Sequence, residues 1–233
     1  MNFPPRLLHG FFCLFMCVFV VLLTCLLPAQ QAPPAAGESS SRHHPKLLKP
    51  PAVPAFDPGS IIDGVYTNPY FGFTYRLPFG WVDRSDAMQD DSPEAAKDSA
   101  KSVLLLAIFE QPPEAPREAI NSGVVVAAES VSAYPGLKTA ADYFGILSQL
   151  TTDKGFKQAN DPAEVAVGGK TLIRGDFSKE TGKATVHQTA LVLLEKSYVV
   201  SFTLIGASED EVDSLLENLS FAAKKPARQA PGR

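Results

Sequence analysis

The sequence predicts an α+β fold, a mostly antiparallel sheet of about six to seven strands flanked by helices. Three observations predict it. Apolar and polar residues alternate at period two in several short segments bounded by Gly, Pro and Asn turns. Two other segments carry apolar residues at helical spacing behind capping signals. The connections between strands are short turns, and only the one running through a helix that begins after Thr139 leaves room for a crossover.

Taken in order, residues 64–67 read as a short strand that Asn68-Pro69 ends in a turn. Phe71, Phe73, Tyr75 and Leu77 alternate with Gly72, Thr74 and Arg76, which puts the apolar side chains on one face of a strand closed by Pro78 and Gly80. Trp81, the single tryptophan, follows and reads as core. Ser92-Pro93-Glu94 has the order of an N-cap, a proline at N1 and an early acid, so a short exposed helix is expected there. Residues 103–109 and 123–131 are apolar runs too short for typical helices and read as buried central strands. Thr139, with Asp142 three residues on, predicts a capped helix. Ala140, Tyr143, Phe144, Leu147 and Leu150 share its apolar face, and Gly155 supplies the stop. Strands over 163–167 and 171–177 flank Gly168-Gly169, a pair suited to a type I′ hairpin turn. Beyond a turn near Thr181-Gly182 come strands over 185–194 and 198–205, with Tyr198, Val200, Phe202 and Leu204 on one face of the second. Ser208 and Glu211 predict a capping box for a last helix, with an apolar stripe of Val212, Leu215, Leu216 and Leu219.

At 233 residues the chain can hold one good core with tails, and its twenty prolines are spread unevenly enough to separate domain from linker. From 11 to 27 every residue is apolar except Thr24; Arg6 precedes the run and Pro28-Ala29-Gln30 breaks it. Those are the parts of a secretory signal, at a length between a cleaved signal and a spanning anchor. Both readings export the rest of the chain, since the positive charge stays inside. Leu22-Leu23-Thr24-Cys25 also resembles a lipobox, departing from it at Thr24, where Gly or Ala is favoured. The expected organisation is a signal peptide or signal anchor over 1–29, a Pro/Ser-rich disordered linker over 30–58, one α+β domain over 59–221 and a disordered basic tail over 222–233. All three cysteines, Cys13, Cys17 and Cys25, fall in the first segment, so the domain is expected to have no disulfide and no thiolate site.

The segment Asn68-Pro69-Tyr70-Phe71-Gly72-Phe73-Thr74-Tyr75-Arg76-Leu77-Pro78, followed by Gly80-Trp81, resembles the opening hairpin of PsbP-like domains. Their Tyr-x-Asn, Gly-Phe strand and Pro-x-Gly-Trp recur here, as does the later order of helix, glycine-turned hairpin, two strands and helix. The resemblance implies an α/β/α sandwich that acts by binding. Its members include lumenal photosystem II subunits, a Ran-binding import factor and bacterial secretion chaperones. The matched positions are a hairpin and its aromatic packing, so no functional residue is carried over.

Residue chemistry points the same way. The formal net charge of −4 sets up no field for nucleic acid, and the basic residues are scattered without aromatic interleaving. His187 is the only histidine of the domain, on a strand face with Thr185 and Thr189, and no Gly-x-Ser-x-Gly elbow surrounds a serine. Asp176 follows Arg174 on one strand face and reads as an exposed charge pair. The densest acids, Asp83, Asp86, Asp90, Asp91, Glu94 and Asp98, lack the spacing of an EF-hand and are diluted by Lys97 and Lys101. They read as a solvated loop, with weak calcium binding as the alternative. His43-His44 in the linker has no third ligand nearby. No catalytic residue, metal ligand or cofactor is assigned. The expected function is a non-enzymatic, extracytoplasmic binding or assembly module held near the membrane, with a protein partner. The alternative is a cell-envelope enzyme using paired carboxylates in a deep pocket.

Overall fold

The computed structural model describes residues 56–90, 102–114 and 120–221. The N-terminal segment, nearly all of the linker, the helix expected at Ser92-Pro93-Glu94 and the C-terminal tail lie outside the described residues.

Strand β1 (Ser60–Ile62) and β2 (Val65–Asn68) form a hairpin about Asp63-Gly64, whose φ angles of 50° and 73° suit a type I′ turn. Asn68 then shapes the corner. Its side-chain carbonyl accepts from the Phe71 N–H at 2.8 Å and its amide donates to the Pro58 carbonyl at 2.9 Å. β3 (Phe73–Arg76) returns beside β2 with Phe73 and Tyr75 buried, as their alternation predicts. After β4 (Val82–Asp83), Asp83 Oδ1 accepts from the Ser85 N–H at 2.9 Å and opens helix α1 (Ser85–Asp90). The first part of the acidic stretch is therefore helix rather than loop; Asp91, Glu94 and Asp98 lie outside the described residues.

The two apolar runs become β5 (Ser102–Phe109) and β6 (Gly123–Ser130), buried over nearly their whole length. Helix α2 (Ala140–Asp153) starts with the expected capping box: Thr139 accepts from the Asp142 N–H, and Asp142 accepts from the Thr139 N–H at 2.8 Å. Then come β7 (Lys157–Gln158), β8 (Ala163–Val167), β9 (Lys170–Thr181), β10 (Ala184–Glu195) and β11 (Tyr198–Gly206). Helix α3 (Glu209–Leu216) keeps half of its expected box. Ser208 accepts from the Glu211 N–H at 3.1 Å, while the Glu211 carboxylate turns to the Ala207 N–H and the Ser122 hydroxyl. Leu219, expected on the helix stripe, instead opens β12 (Leu219–Phe221), which pairs with β3.

The α+β class holds, and every strand pair is antiparallel. The strands divide into two sheets. Eight form a central sheet ordered β4-β5-β6-β11-β10-β9-β7, with β8 also beside β9, and four form a smaller sheet ordered β1-β2-β3-β12. One face of the central sheet packs against α1 and α2 through Leu104, Phe109, Phe144, Leu147, Phe177 and Val192. The other packs against α3 and the small sheet through Phe73, Tyr75, Ile108, Leu191, Phe202 and Leu215. A register shift between Leu104 and Leu106 re-phases β5, so that Leu105 and Leu106 turn to the same face. Trp81 is partly buried against the small-sheet side of the core, which agrees with its reading as a packing residue. Helix α2 sits close on the sheet because Gly175 has no side chain: a Cβ there would stand 2.3 Å from Phe144 Cζ.

Candidate functional site

Two polar constellations interrupt the cores, and one groove opens beside them. The more deeply buried constellation surrounds Glu129 near the end of β6, which is 5 % exposed. The chain leaves β6 through a single 3-10 turn (Val131–Ala133), which brings the Tyr134 hydroxyl onto Glu129 Oε2. Tyr143, on the buried face of α2, donates to Oε1 at 3.0 Å. The two phenol rings meet edge to face with centroids 5.3 Å apart. Burial pushes the Glu129 carboxyl up to about 7, against two tyrosine hydrogen bonds that pull it down. Burial and the neighbouring carboxyl hold both phenols well above their ordinary value. Ser102 stands opposite Glu129 in the β5–β6 register, and its buried hydroxyl has no hydrogen-bond partner among the described residues. With both oxygens taken by tyrosines, this carboxyl is built to be held, and a substrate would have to displace a phenol to reach it.

The second constellation lies where α3 crosses β9 and β10. Arg174 Nε donates to Asp176 at 2.9 Å and its terminal nitrogen donates to Asp213 of α3 at 2.7 Å. Asn160 donates to Asp176 at 3.0 Å, and the Thr189 hydroxyl donates to its other oxygen. Burial raises the Asp176 carboxyl, and the bonds from Thr189, Asn160 and Arg174 outweigh it, leaving the group below its usual range. The expected exposed pair of Arg174 and Asp176 is thus a half-buried network that pins a helix to the sheet. His187 shares this sheet face, with Nδ1 3.8 Å from Glu209 Oε1 at the start of α3. Thr189, its neighbour on the strand face, donates its hydroxyl to Asp176.

Among the described residues no group of three His, Cys, Asp or Glu side chains is placed to hold a metal. Asp83 spends its carboxylate on Ser85, donating groups being the backbone N–H and the hydroxyl at 2.6 Å. His43-His44 and the three cysteines lie outside the described residues.

The third feature is an open groove of about 600 Å³ between α2 and the β7–β8–β9 border of the central sheet. Ala141, Gly145 and Gln149 of α2 form one wall, Phe144 and Ile173 lie at its base, and among the described residues Glu164 is the only charged one lining it. Ser148 donates to Gln158 at 2.8 Å and so fixes the helix against β7 at one end. A cleft of this shape has an apolar floor, small walls and no converging set of acids, which suits contact with another surface better than enclosure of a small molecule.

Sequence reading overlooked both Glu129 and the groove. Glu129 was legible as the lone acid in an apolar run, but its partners come from a turn and a helix. The groove wall was legible as Ala141, Gly145 and Gln149 flanking the apolar stripe of the helix, but the pattern does not say which strand lies beside it.

No family model and no curated protein matches the chain. Among solved structures it is similar to cyanobacterial PsbP (CyanoP) from Synechocystis sp. PCC 6803, with a TM-score of 0.46 and 13 % identity over 68 % of this chain and 91 % of that one. It is also similar to LpqN, involved in cell envelope biogenesis of Mycobacterium tuberculosis, with a TM-score of 0.40 and 18 % identity over 73 % of this chain and 88 % of that one. The Saccharomyces cerevisiae Ran-binding protein Mog1p gives a TM-score of 0.37 and 13 % identity over 63 % of this chain and 78 % of that one. The likeness to PsbP-like domains is one of fold, and it assigns no residue a role.

Proposed function

We propose that this chain is a non-enzymatic, extracytoplasmic binding or assembly module, held near a membrane by its N-terminal segment, and that a protein partner docks in the groove beside α2. The groove carries this reading. It is open, its floor is apolar and its walls are small and mostly neutral, so a side chain or helix ridge from another protein can enter without stranding a charge. The buried acids support it by their occupation: Glu129 is held by two tyrosines and Asp176 by Thr189, Asn160 and Arg174, leaving neither oriented toward an open cleft.

The export half of the proposal rests on the apolar segment 11–27 behind Arg6, followed by a proline-rich spacer. A photo-crosslinking amino acid at Gln149, on the groove wall, tests the docking half in the full chain in the cell that makes it. A protein adduct is expected there and not at Thr67, which is exposed on the outer face of the small sheet. Equal yields at the two positions would remove the groove as the docking surface.

A further inference from the structure

The turn at Gly168-Gly169 determines which backbone groups the neighbouring strand leaves free. Its φ angles of 53° and 80° make it a two-residue type I′ turn, in which the flanking residues Val167 and Lys170 exchange both of their hydrogen bonds. Hydrogen-bonded pairs alternate along an antiparallel ladder, so Val165 with Leu172 and Ala163 with Arg174 do the same. Glu164 and Ala166 therefore aim their N–H and C=O groups away from β9. Among the described residues no strand pairs with that outer edge of β8.

Edge strands are commonly protected by charged side chains, lysine above all, or by proline, a bulge or extreme shortness, and β8 carries a single charge, Glu164. β8 reads Ala-Glu-Val-Ala-Val, is paired with β9 without a register shift, and has Ala163, Glu164 and Ala166 exposed. The opposite edge of the central sheet, β4, is only two residues long and runs almost directly into α1.

We propose that β8 pairs antiparallel with β8 of a second copy of this chain, joining two central sheets edge to edge. The register is self-complementary. With Val165 on the two-fold axis, Glu164 of each copy forms a hydrogen-bonded pair with Ala166 of the other, and all four free backbone groups on each side are satisfied. No glutamate faces a glutamate directly; the two Glu164 residues sit diagonally, about 7–8 Å apart and somewhat closer at Cβ. An axis normal to the sheet keeps both grooves on the same side. Because α2 packs over β9 and β10, the paired strands β9-β8-β8-β9 become the floor of one trough walled by the two α2 helices. This assembly extends the docking groove, and it stands on the β8 edge rather than on what the groove binds, so either can fail alone.

The test uses the full chain in its own membrane under mild oxidation. At the two-fold centre the Val165 Cα atoms lie about 4.5 Å apart, within the span of a disulfide. Val165→Cys is expected to give a covalent dimer well above the background from Cys13, Cys17 and Cys25 in the unaltered chain, and Thr67→Cys is not. Adding Ala166→Pro removes only the outward N–H and leaves the β8–β9 ladder intact. The dimer yield should then fall at least about tenfold, since two donors are lost per pair. Ala166→Glu, which changes no backbone group and sets two carboxylates opposite each other, should fall likewise while the urea midpoint stays put. No Val165→Cys dimer, or a yield indifferent to both Ala166 changes, overturns the pairing. If Gln149 still crosslinks to another protein in that case, the docking reading survives without it.

Discussion

Glu129 loses its water shell on folding and gains two phenol hydrogen bonds, and the first effect wins: its carboxyl moves from an ordinary 4.5 to about 7. The folded state therefore binds this proton more tightly than the unfolded chain. Stability from this group is greatest below pH 4.5, falls as the pH rises, and levels off above about 7. The full loss is about 3 kcal/mol, from 1.36 kcal/mol for each pK unit. Glu129→Gln removes the titration, so urea midpoints measured from pH 5 to 8 should slope downward for the parent and lie much flatter for the variant. Parallel profiles would mean that water reaches the carboxyl. In the sequence, Glu129 is hidden by its company: residues 123–131 read as one apolar strand. The pattern says that the position is buried, but it cannot supply Tyr134 and Tyr143, which arrive through a tight turn and a helix face.

Turns show most clearly what local sequence can and cannot specify. Gly168-Gly169 is readable as a type I′ turn because two residues that tolerate positive φ stand between two strand patterns. Asp63-Gly64 carries the same kind of signal ahead of β2, yet β1 is only three residues long and escapes a period-two reading. The β10–β11 turn has no such signal. Lys196 and Ser197 adopt φ of 50° and 65°, a region that costs an ordinary L-residue about 1 kcal/mol. Long strands on both sides impose it, through the register from Glu195 with Tyr198 to His187 with Gly206. Lys196 recovers part of the cost: its ammonium donates to the Tyr70 carbonyl and lies 4.6 Å from the centre of that ring. Among the described residues the Ser197 side chain has no comparable compensation, while its carbonyl accepts from the Val131 N–H at 3.0 Å. Ser197→Gly keeps that bond and relieves the strain, so it should raise stability by about 1 kcal/mol. A thermal midpoint unchanged or lowered by the substitution would show that the turn is not strained.

At the scale of the whole molecule, the small sheet depends on both ends of the described chain. Its first three strands come from residues 60–76, and its fourth, β12, arrives after α3 to cover the open edge of β3. That return was not legible, because Leu219 continues the helical spacing of Val212, Leu215 and Leu216, and only pairing with residues about 145 positions away tells the two apart. Packing decides for the strand. Leu219 and Phe221 are buried, Phe221 meets Phe73 and Phe202 at ring-centre distances of 6.0 and 6.2 Å, and the Arg76 N–H donates to the Asn218 carbonyl at 3.1 Å. The Tyr75 hydroxyl adds a bond to the Leu215 carbonyl at 2.9 Å, locking β3 under the end of α3. Removing β12 would uncover these rings and leave the β3 edge unpaired. Truncating a buried phenylalanine alone costs about 3–5 kcal/mol, a large part of the 5–15 kcal/mol that holds an ordinary domain. A chain ended after Glu217 should therefore lose its cooperative urea transition or unfold at far lower urea. One ended after Phe221, which discards only the basic tail, should match the parent within about 0.5 kcal/mol. Coincident transitions for all three chains would mean that the small sheet contributes no cooperative stability and that the domain closes without its last strand.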